Sequence, residues 1–502
     1  MSATGTPPET SPPRARLSDA EERFERRRRD VGLVLGPAAF ALLLAVPATG
    51  LAPAAARLLA VVAWVLVWWI TEAVPLPATA VLGPALAVVL RVAPAKEAFA
   101  PFGDPIIFLF LGSFLLAEAM GVHGLDRRIA RAVLSIPGAS ASPLRVVVTF
   151  LALAAALSMW LSNSATTAML YPIALGTLGA VDVGARSSLA RPLLLACAYG
   201  ASVGGIGTPV GSPPNLVAIG QLSALAGEHV GFVPWILVSL PVTLAMVGAT
   251  AVVLGAPLGA APFRAAAGGG GLRGAGPMSR GEWSVALAVL VTVAGWVGPG
   301  AASLVLGESH PVSGALARAL PEGAVAVLGA SLLFVLPAGG ERRVALAWSE
   351  ATRIDWGTLL LFGGGLSLGG AMFRTGLSES LGHGLVGATG VSTTVGLTVV
   401  FSVFAIFFTE VTSNTATATM LVPLAIASAR AAGVSPLEPA LGCALGCSMA
   451  FMLPVATPPN AIVYGSGLVP ITYMVRSGIL MNLVACLVVP GGVLLLVPLV
   501  LR

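Results

Sequence analysis

Apolar positions in this chain come in long blocks rather than in the alternation that half-buried strands require. Uninterrupted blocks lie near 31–51, 58–75, 78–92, 105–122, 232–254, 283–298, 322–337, 356–373 and 479–500. A helix needs about 17–25 such residues to cross a bilayer. Further span-length material is interrupted by two related polar phrases. Ser162-Asn163-Ser164-Ala165-Thr166-Thr167 recurs as Ser413-Asn414-Thr415-Ala416-Thr417-Ala418. Each phrase is followed by a Pro-Pro-Asn turn, at Gly211-Ser212-Pro213-Pro214-Asn215 and at Ala456-Thr457-Pro458-Pro459-Asn460. The pattern predicts an all-α polytopic membrane protein, with about eleven transmembrane helices and two re-entrant helical hairpins.

The recurrence keeps one register. Asp104 and Asp355 are 251 residues apart, and the same offset relates Gly112 to Gly363, Ser158 to Thr409 and Asn163 to Asn414. Met169-Leu170 returns as Met420-Leu421 and Pro172 as Pro423, while the Pro-Pro-Asn turns differ by 245. Each half therefore carries one helix, one hairpin with a polar tip and one broken helix. If the first repeat enters from outside and the second from inside, the two form an inverted repeat about an axis in the membrane plane.

Composition agrees: 56% of the 502 residues are hydrophobic and 10% charged, against roughly 25% charged in a soluble domain. Mean hydropathy is +0.93. The placement of charge says more than the net +5. Arg14, Arg16, Arg23 and Arg26-Arg27-Arg28-Arg29 precede the first block and set the N-terminus in the cytoplasm. Threading the spans from there puts roughly three-quarters of the basic residues inside and the C-terminus outside. The basic tail is thus an orientation signal, not a nucleic-acid arm. Residues 255–281, with Gly268-Gly269-Gly270-Gly271, are expected to be a flexible cytoplasmic connector.

Small hydroxyls, amides and prolines within apolar sequence belong where they line a cavity. Ser and Asn favour helix N-caps, and a helix N-terminus turns backbone N–H groups and partial positive charge toward an anion. Proline breaks a helix and frees carbonyl oxygens, which suit a hard cation such as Na⁺. Each half can offer one cation site and half of an anion site. No lysine or arginine stands in either phrase, so bound cations and helix ends would balance a doubly charged anion. Glu118 and Glu410 are carboxylates within apolar blocks, and Glu410 adjoins Thr409. Such residues are functional candidates. Cys197, Cys443, Cys447 and Cys486 lack partners for a metal site and read as packing residues. The histidines, at span ends or in loops, pair with no nucleophile, which argues against an enzyme and against an organic cofactor.

At these phrases, and at Trp68-Trp69-Ile70-Thr71-Glu72-Ala73-Val74-Pro75-Leu76-Pro77-Ala78-Thr79, the chain resembles the divalent anion/sodium symporter family of di- and tricarboxylate and sulfate transporters. The resemblance runs from about residue 60 to 470. It implies a homodimer in the cytoplasmic membrane whose protomers each hold a fixed scaffold and a transport domain moving as an elevator. It would divide the chain into a basic tail (1–30), scaffold helices (31–141), a first half of the transport domain (142–230), connecting and scaffold helices (231–390) and a second half (391–502). By the family pattern, one Na⁺ would be held by Ser158, Ser162, Asn163 and Gly211, and a second by Thr409, Thr412, Asn414 and Ala456. The substrate would touch Asn163, Ser164, Ser212, Pro213, Asn414, Thr415, Thr457 and Pro458. Ser164 and Ser212 stand where threonine is common in the family, so two methyls are missing from one side of the site. The expected activity is Na⁺-coupled movement of a C4-dicarboxylate such as succinate, malate or fumarate. Dicarboxylate exchange, or tricarboxylate or sulfate symport, on the same fold is the alternative.

Overall fold

A computed structural model describes residues 19–46, 50–136, 138, 141–179, 183–258, 276–307, 310–340 and 342–501. The glycine run of the connector and the first part of the basic tail lie outside the described residues. Among the described residues the chain is helical, and the only β-type pairing is a single bridge between Gly339 and Arg342.

The chain opens with α1 (Asp19–Ala45), α2 (Pro53–Thr71), α3 (Leu76–Val89) and the short α4 (Ala95–Phe99). Helix α1 starts twelve residues before the apolar block that predicts it. Its first three turns are rich in Glu and Arg, residues that sustain a helix as well as apolar ones do. The first repeat follows as α5 (Pro105–His123), α6 (Leu125–Leu134), α7 (Pro143–Ser158), α8 (Asn163–Gly179), α9 (Val183–Gly204) and α10 (Pro213–Gln221). Then come α11 (Phe232–Gly255), α12 (Arg280–Leu306), α13 (Pro311–Ala319), α14 (Glu322–Leu332) and α15 (Trp348–Ala351). The second repeat is α16 (Trp356–Arg374), α17 (Leu377–Thr389), α18 (Thr394–Phe408), α19 (Asn414–Ala431), α20 (Leu437–Cys447) and α21 (Pro458–Tyr464), and α22 (Ile471–Val500) ends the chain.

The two repeats correspond helix by helix, and their opening caps are chemically alike. Asp104 accepts from Ile106 N at the head of α5, and Asp355 accepts from Thr358 N at the head of α16. Carboxylates at these positions satisfy orphan N–H groups and complement the helix dipole.

Among the described residues six helical segments are long and apolar enough to cross a membrane, or eight if two bent pairs count as single spans. Those pairs are α13 with α14, bent by 58°, and α17 with α18, bent by 96°. The 322–337 block, expected as one run, is divided between the eleven residues of α14 and a turn after Leu332.

Packing crosses the repeat boundary in matched pairs. Helix α7 lies on α9 and α18 on α20 within each repeat, whereas α10 packs on α19 and α21 on α8. The short helix after each break is thus seated against the hairpin of the other half. The opening helices pack on segments outside the repeats, α5 on α14 and α16 on α3. At the first of these contacts a side chain on Gly112 would collide with the Ala326 backbone, so the approach requires glycine. A single apolar cluster joins both repeats, with Phe110, Leu194, Tyr199, Leu441 and Phe451 among its fully buried members.

Candidate functional site

Both polar phrases sit where a hairpin turns. Residues 159–162 join α7 to α8, and 409–413 join α18 to α19, so Asn163 and Asn414 each open a helix. Ser162 Oγ accepts from Ala165 N at 3.2 Å and caps the first of these helices. The two tips are closed by the same hydrogen bond. Ser158 Oγ donates to Asn163 Oδ1 at 2.6 Å, and Thr409 Oγ1 lies 2.7 Å from Asn414 Oδ1. Thr409 Oγ1 is also 2.8 Å from Cys447 O, so its one proton is shared between the asparagine and the end of α20. Ser158 and Thr409 are fully buried, while Asn163, Ser164 and Asn414 are half-buried and Ser162 is exposed. The clasps are interior, but the amides they orient reach accessible space.

The Pro-Pro-Asn turns end the breaks, 205–212 between α9 and α10 and 448–457 between α20 and α21. Here the asparagines do what the sequence reading gave to the prolines alone. Asn215 Nδ2 donates to Gly205 O and Thr208 O, both at 2.8 Å. Asn460 Nδ2 donates to Ala450 O at 3.2 Å and Leu453 O at 3.0 Å. In each half one fully buried amide ties the carbonyls ten and seven residues before it, which fixes the loop's shape. The sign of this role was in the sequence, since both asparagines follow their prolines in repeat register.

Tip and break meet most tightly in the first half. A Cβ placed on Gly211 would lie 2.7 Å from Gly205 O, 2.8 Å from Ser158 O and 3.1 Å from Met159 O. Three backbone oxygens therefore converge beside Gly211, with Asn163 Oδ1 at the same tip. That is an oxygen-only donor set of the kind hard cations take. In the second half Ala456 stands where Gly211 does, and the Thr412 hydroxyl is buried without a hydrogen-bond partner. Such an orphan is costly unless it has something to coordinate. Among the described residues no three His, Cys, Asp or Glu side chains cluster as a metal site. The donor set thus fits Na⁺ through neutral oxygens rather than a transition metal.

The remaining sequence-predicted residues flank the breaks. Ser212 and Thr457 are buried N-caps of α10 and α21, and Thr457 Oγ1 accepts from Asn460 N at 3.3 Å. Ser212 Oγ instead shares a 3.2 Å hydrogen bond with Ser448 Oγ, which brings the two breaks into direct contact. Thr415 is buried, Pro213 half-buried and Pro458 exposed. Tyr199, on α9 of the first half, donates from its hydroxyl to Phe451 O at 2.8 Å in the second break. Its ring meets that of Phe451 edge-on at 5.0 Å. Tyr199 and Ser448 were not anticipated, because a lone polar residue in an apolar helix carries no local signal of its partner. Of the two carboxylates that the sequence singles out within apolar blocks, Glu410 lies in the second tip. Glu118 is half-buried on α5 in the field of Arg353 and Glu350.

Comparison with known proteins bears on the family and the fold. The sodium:sulfate symporter transmembrane region matches residues 28–497. Sodium-dependent dicarboxylate transporters SdcS from Staphylococcus saprophyticus and from Staphylococcus aureus are each 33% identical over 487 residues, covering 94% of this chain and 92% of theirs. Among solved structures, the YdaH transporter of Alcanivorax borkumensis is similar in fold, with a TM-score of 0.54 at 17% identity. That alignment covers 79% of this chain and 84% of the other. On the strength of a match that runs almost from end to end, this chain belongs to the sodium:sulfate symporter family.

Proposed function

We propose that this protein is a secondary active transporter that carries a small dianion, foremost a C4-dicarboxylate, across the cytoplasmic membrane together with Na⁺. The observation that carries the reading is the paired clasp: a hydroxyl on an asparagine Oδ1 at each hairpin tip, beside a helix break in the same half. Family membership and the sodium-dependent dicarboxylate transport named for the staphylococcal relatives support it.

In this reading Ser158, Ser162, Asn163 and Gly211 hold one Na⁺, and Thr409, Thr412, Asn414 and Ala456 hold a second. The dianion lies between the tips, against Asn163, Ser164, Ser212 and Pro213 from one half and Asn414, Thr415, Thr457 and Pro458 from the other. Its carboxylates meet the amide donors of the asparagines, the hydroxyls and the N-terminal ends of α8, α10, α19 and α21. The Na⁺ ions supply the charge that no basic side chain provides. Binding is ordered by that requirement, since a dianion without cations meets only partial charges.

The hairpins α7–α8 and α18–α19 are re-entrant in this account, and about eleven crossings arise once α1, α3, α9, α14 and α20 are assigned to the bilayer beside the six long spans. The N-terminus is cytoplasmic and the C-terminus outside, by the placement of arginine. Residues 142–230 and 391–502 move together as the transport domain of an elevator, against the scaffold helices of 31–141 and 231–390, within a homodimer. Interlocking of the repeats, α10 on α19 and α21 on α8, suits a body that moves as one piece.

Uptake of radiolabelled succinate into proteoliposomes, with and without an inward Na⁺ gradient and with or without internal dicarboxylate, tests the proposal. Accumulation driven by the Na⁺ gradient alone is expected. Uptake that ignores Na⁺ and requires internal dicarboxylate would assign the protein to exchange instead.

A further inference from the structure

Glu410 breaks the likeness between the two halves. Its carboxylate is 4% exposed and is surrounded by N–H donors. Oε1 accepts from Phe451 N at 2.7 Å and Met452 N at 3.0 Å, and Oε2 from Met452 N at 3.1 Å and Leu453 N at 3.2 Å. Asn482 Nδ2, from α22, donates to Oε1 at 2.7 Å. Three successive backbone amides plus a side-chain amide form an anion-binding concavity, and its occupant is the protein's own side chain. All of these contacts are donors, the arrangement that suits a carboxylate rather than its protonated form.

The place matters as much as the contacts. Glu410 directly follows Thr409, whose hydroxyl clasps Asn414, and the amides it binds are the centre of the second break. Leu453 donates its N–H to Glu410, while its carbonyl accepts from Ala456 N at 3.2 Å and from Asn460 Nδ2. One carboxylate therefore fixes both walls of the second cation site, the tip and the segment leading into Ala456.

The first half solves the same problem without charge. At the repeat offset Glu410 corresponds to Met159, whose thioether methyl packs against Gly207, the counterpart of Met452. The first break is held by neutral groups: Trp235 Nε1 donates to Ile206 O at 3.0 Å and Ser239 Oγ to Gly207 O at 3.2 Å, and Thr208 Oγ1 of the break donates to Met159 O of the tip.

We infer that Glu410 is a positioning residue that makes the second-half site the stronger of the two for Na⁺. It adds one negative charge beside that site and sets the backbone of its far wall. The inference rests on the functional reading above and assigns the cation affinity of one half to a residue that touches neither substrate nor ion.

The test is Na⁺-dependent succinate uptake in proteoliposomes by wild type, by Glu410→Gln and by the exchanged pair Glu410→Gln with Asn482→Asp. Glu410→Gln should raise the half-saturating Na⁺ concentration about tenfold or more, the scale on which a near charge shifts an ionic equilibrium. At saturating Na⁺ its succinate KM should stay within about twofold of wild type. The exchanged pair returns a carboxylate across the 2.7 Å hydrogen bond and should recover most of the Na⁺ affinity. A merely structural role would reduce the amount of active protein and leave the Na⁺ response unmoved. Wild-type Na⁺ dependence in Glu410→Gln overturns the inference but leaves the functional reading intact. If Glu410→Gln does not fold, a folded exchanged pair with a weakened Na⁺ response overturns it equally. A wild type indifferent to Na⁺ overturns the functional reading and this inference with it.

Discussion

The two halves of the candidate site use the same short-range hydrogen bonds and different long-range ones. Ser158–Asn163 and Thr409–Asn414 close the tips alike, and Asn215 and Asn460 tie carbonyls at identical spacings. Beyond that the halves diverge. The first break closes on a glycine, Gly211, and is braced by neutral donors; the second carries Ala456 and is braced by an ionic side chain. Local geometry is what a duplicated sequence preserves, because each bond lies within about ten residues of its partner. Charge, set by Glu410, and tightness, set by Gly211 against Ala456, are free to differ because their bracing partners on α11 and α22 lie outside the repeats.

The comparison predicts how substitutions should rank. Asn163→Ala or Asn414→Ala removes the amide whose oxygen closes the tip and which, in the proposed reading, offers that oxygen to the ion and its N–H donors to the substrate. Either change alone should reduce Na⁺-driven succinate uptake to background while folded protein remains in the membrane, as read by uptake normalised to the purified amount. Gly211→Ala should come next. Its new methyl would lie 2.7–2.8 Å from two backbone oxygens that have no flexible side chain to move away. A destabilisation of about 1–3 kcal/mol and loss of most Na⁺-dependent transport are expected. The counterpart change Ala456→Gly should cost less than about 1 kcal/mol and preserve uptake, a contrast that thermal unfolding in detergent can measure. Equal effects at the two positions would show that the halves are equally tight.

Asn215→Ala and Asn460→Ala should behave alike, because the bonds they remove are equivalent. Each leaves two buried carbonyls without this donor, at about 2–3 kcal/mol in unfolding measurements. Divergence between the pair would mean that the braces from α11 and α22 matter more than the amide ties. A smaller effect than that of the amide ties belongs to the link between the halves. Tyr199→Phe deletes a buried hydroxyl whose proton is shared between Phe451 O and Met474 O and keeps the ring contact, so about 1 kcal/mol is expected.

These residues also mark what the sequence alone could tell. The offsets of 251 and 245 residues pointed to the hairpin tips and the breaks, because each depends on neighbours close along the chain. The role of Asn460 was within reach by the same logic. The partners of Glu410 were not: Phe451 is 41 residues away and Asn482 is 72. Nothing local marks Asn482 as a donor to a carboxylate, or Tyr199 as a bridge to a break 252 residues on. The charged extension of α1 was missed because hydropathy marks membrane blocks, while helix propensity continues through Glu and Arg.

The central claim is that two cations, one from each half, balance the charge of a bound dianion in place of basic side chains. Calorimetric titration of succinate into purified protein over a series of Na⁺ concentrations measures this directly. Linkage requires the apparent affinity to rise with Na⁺ with a log–log slope above one below saturation. A slope of one or less would contradict the account.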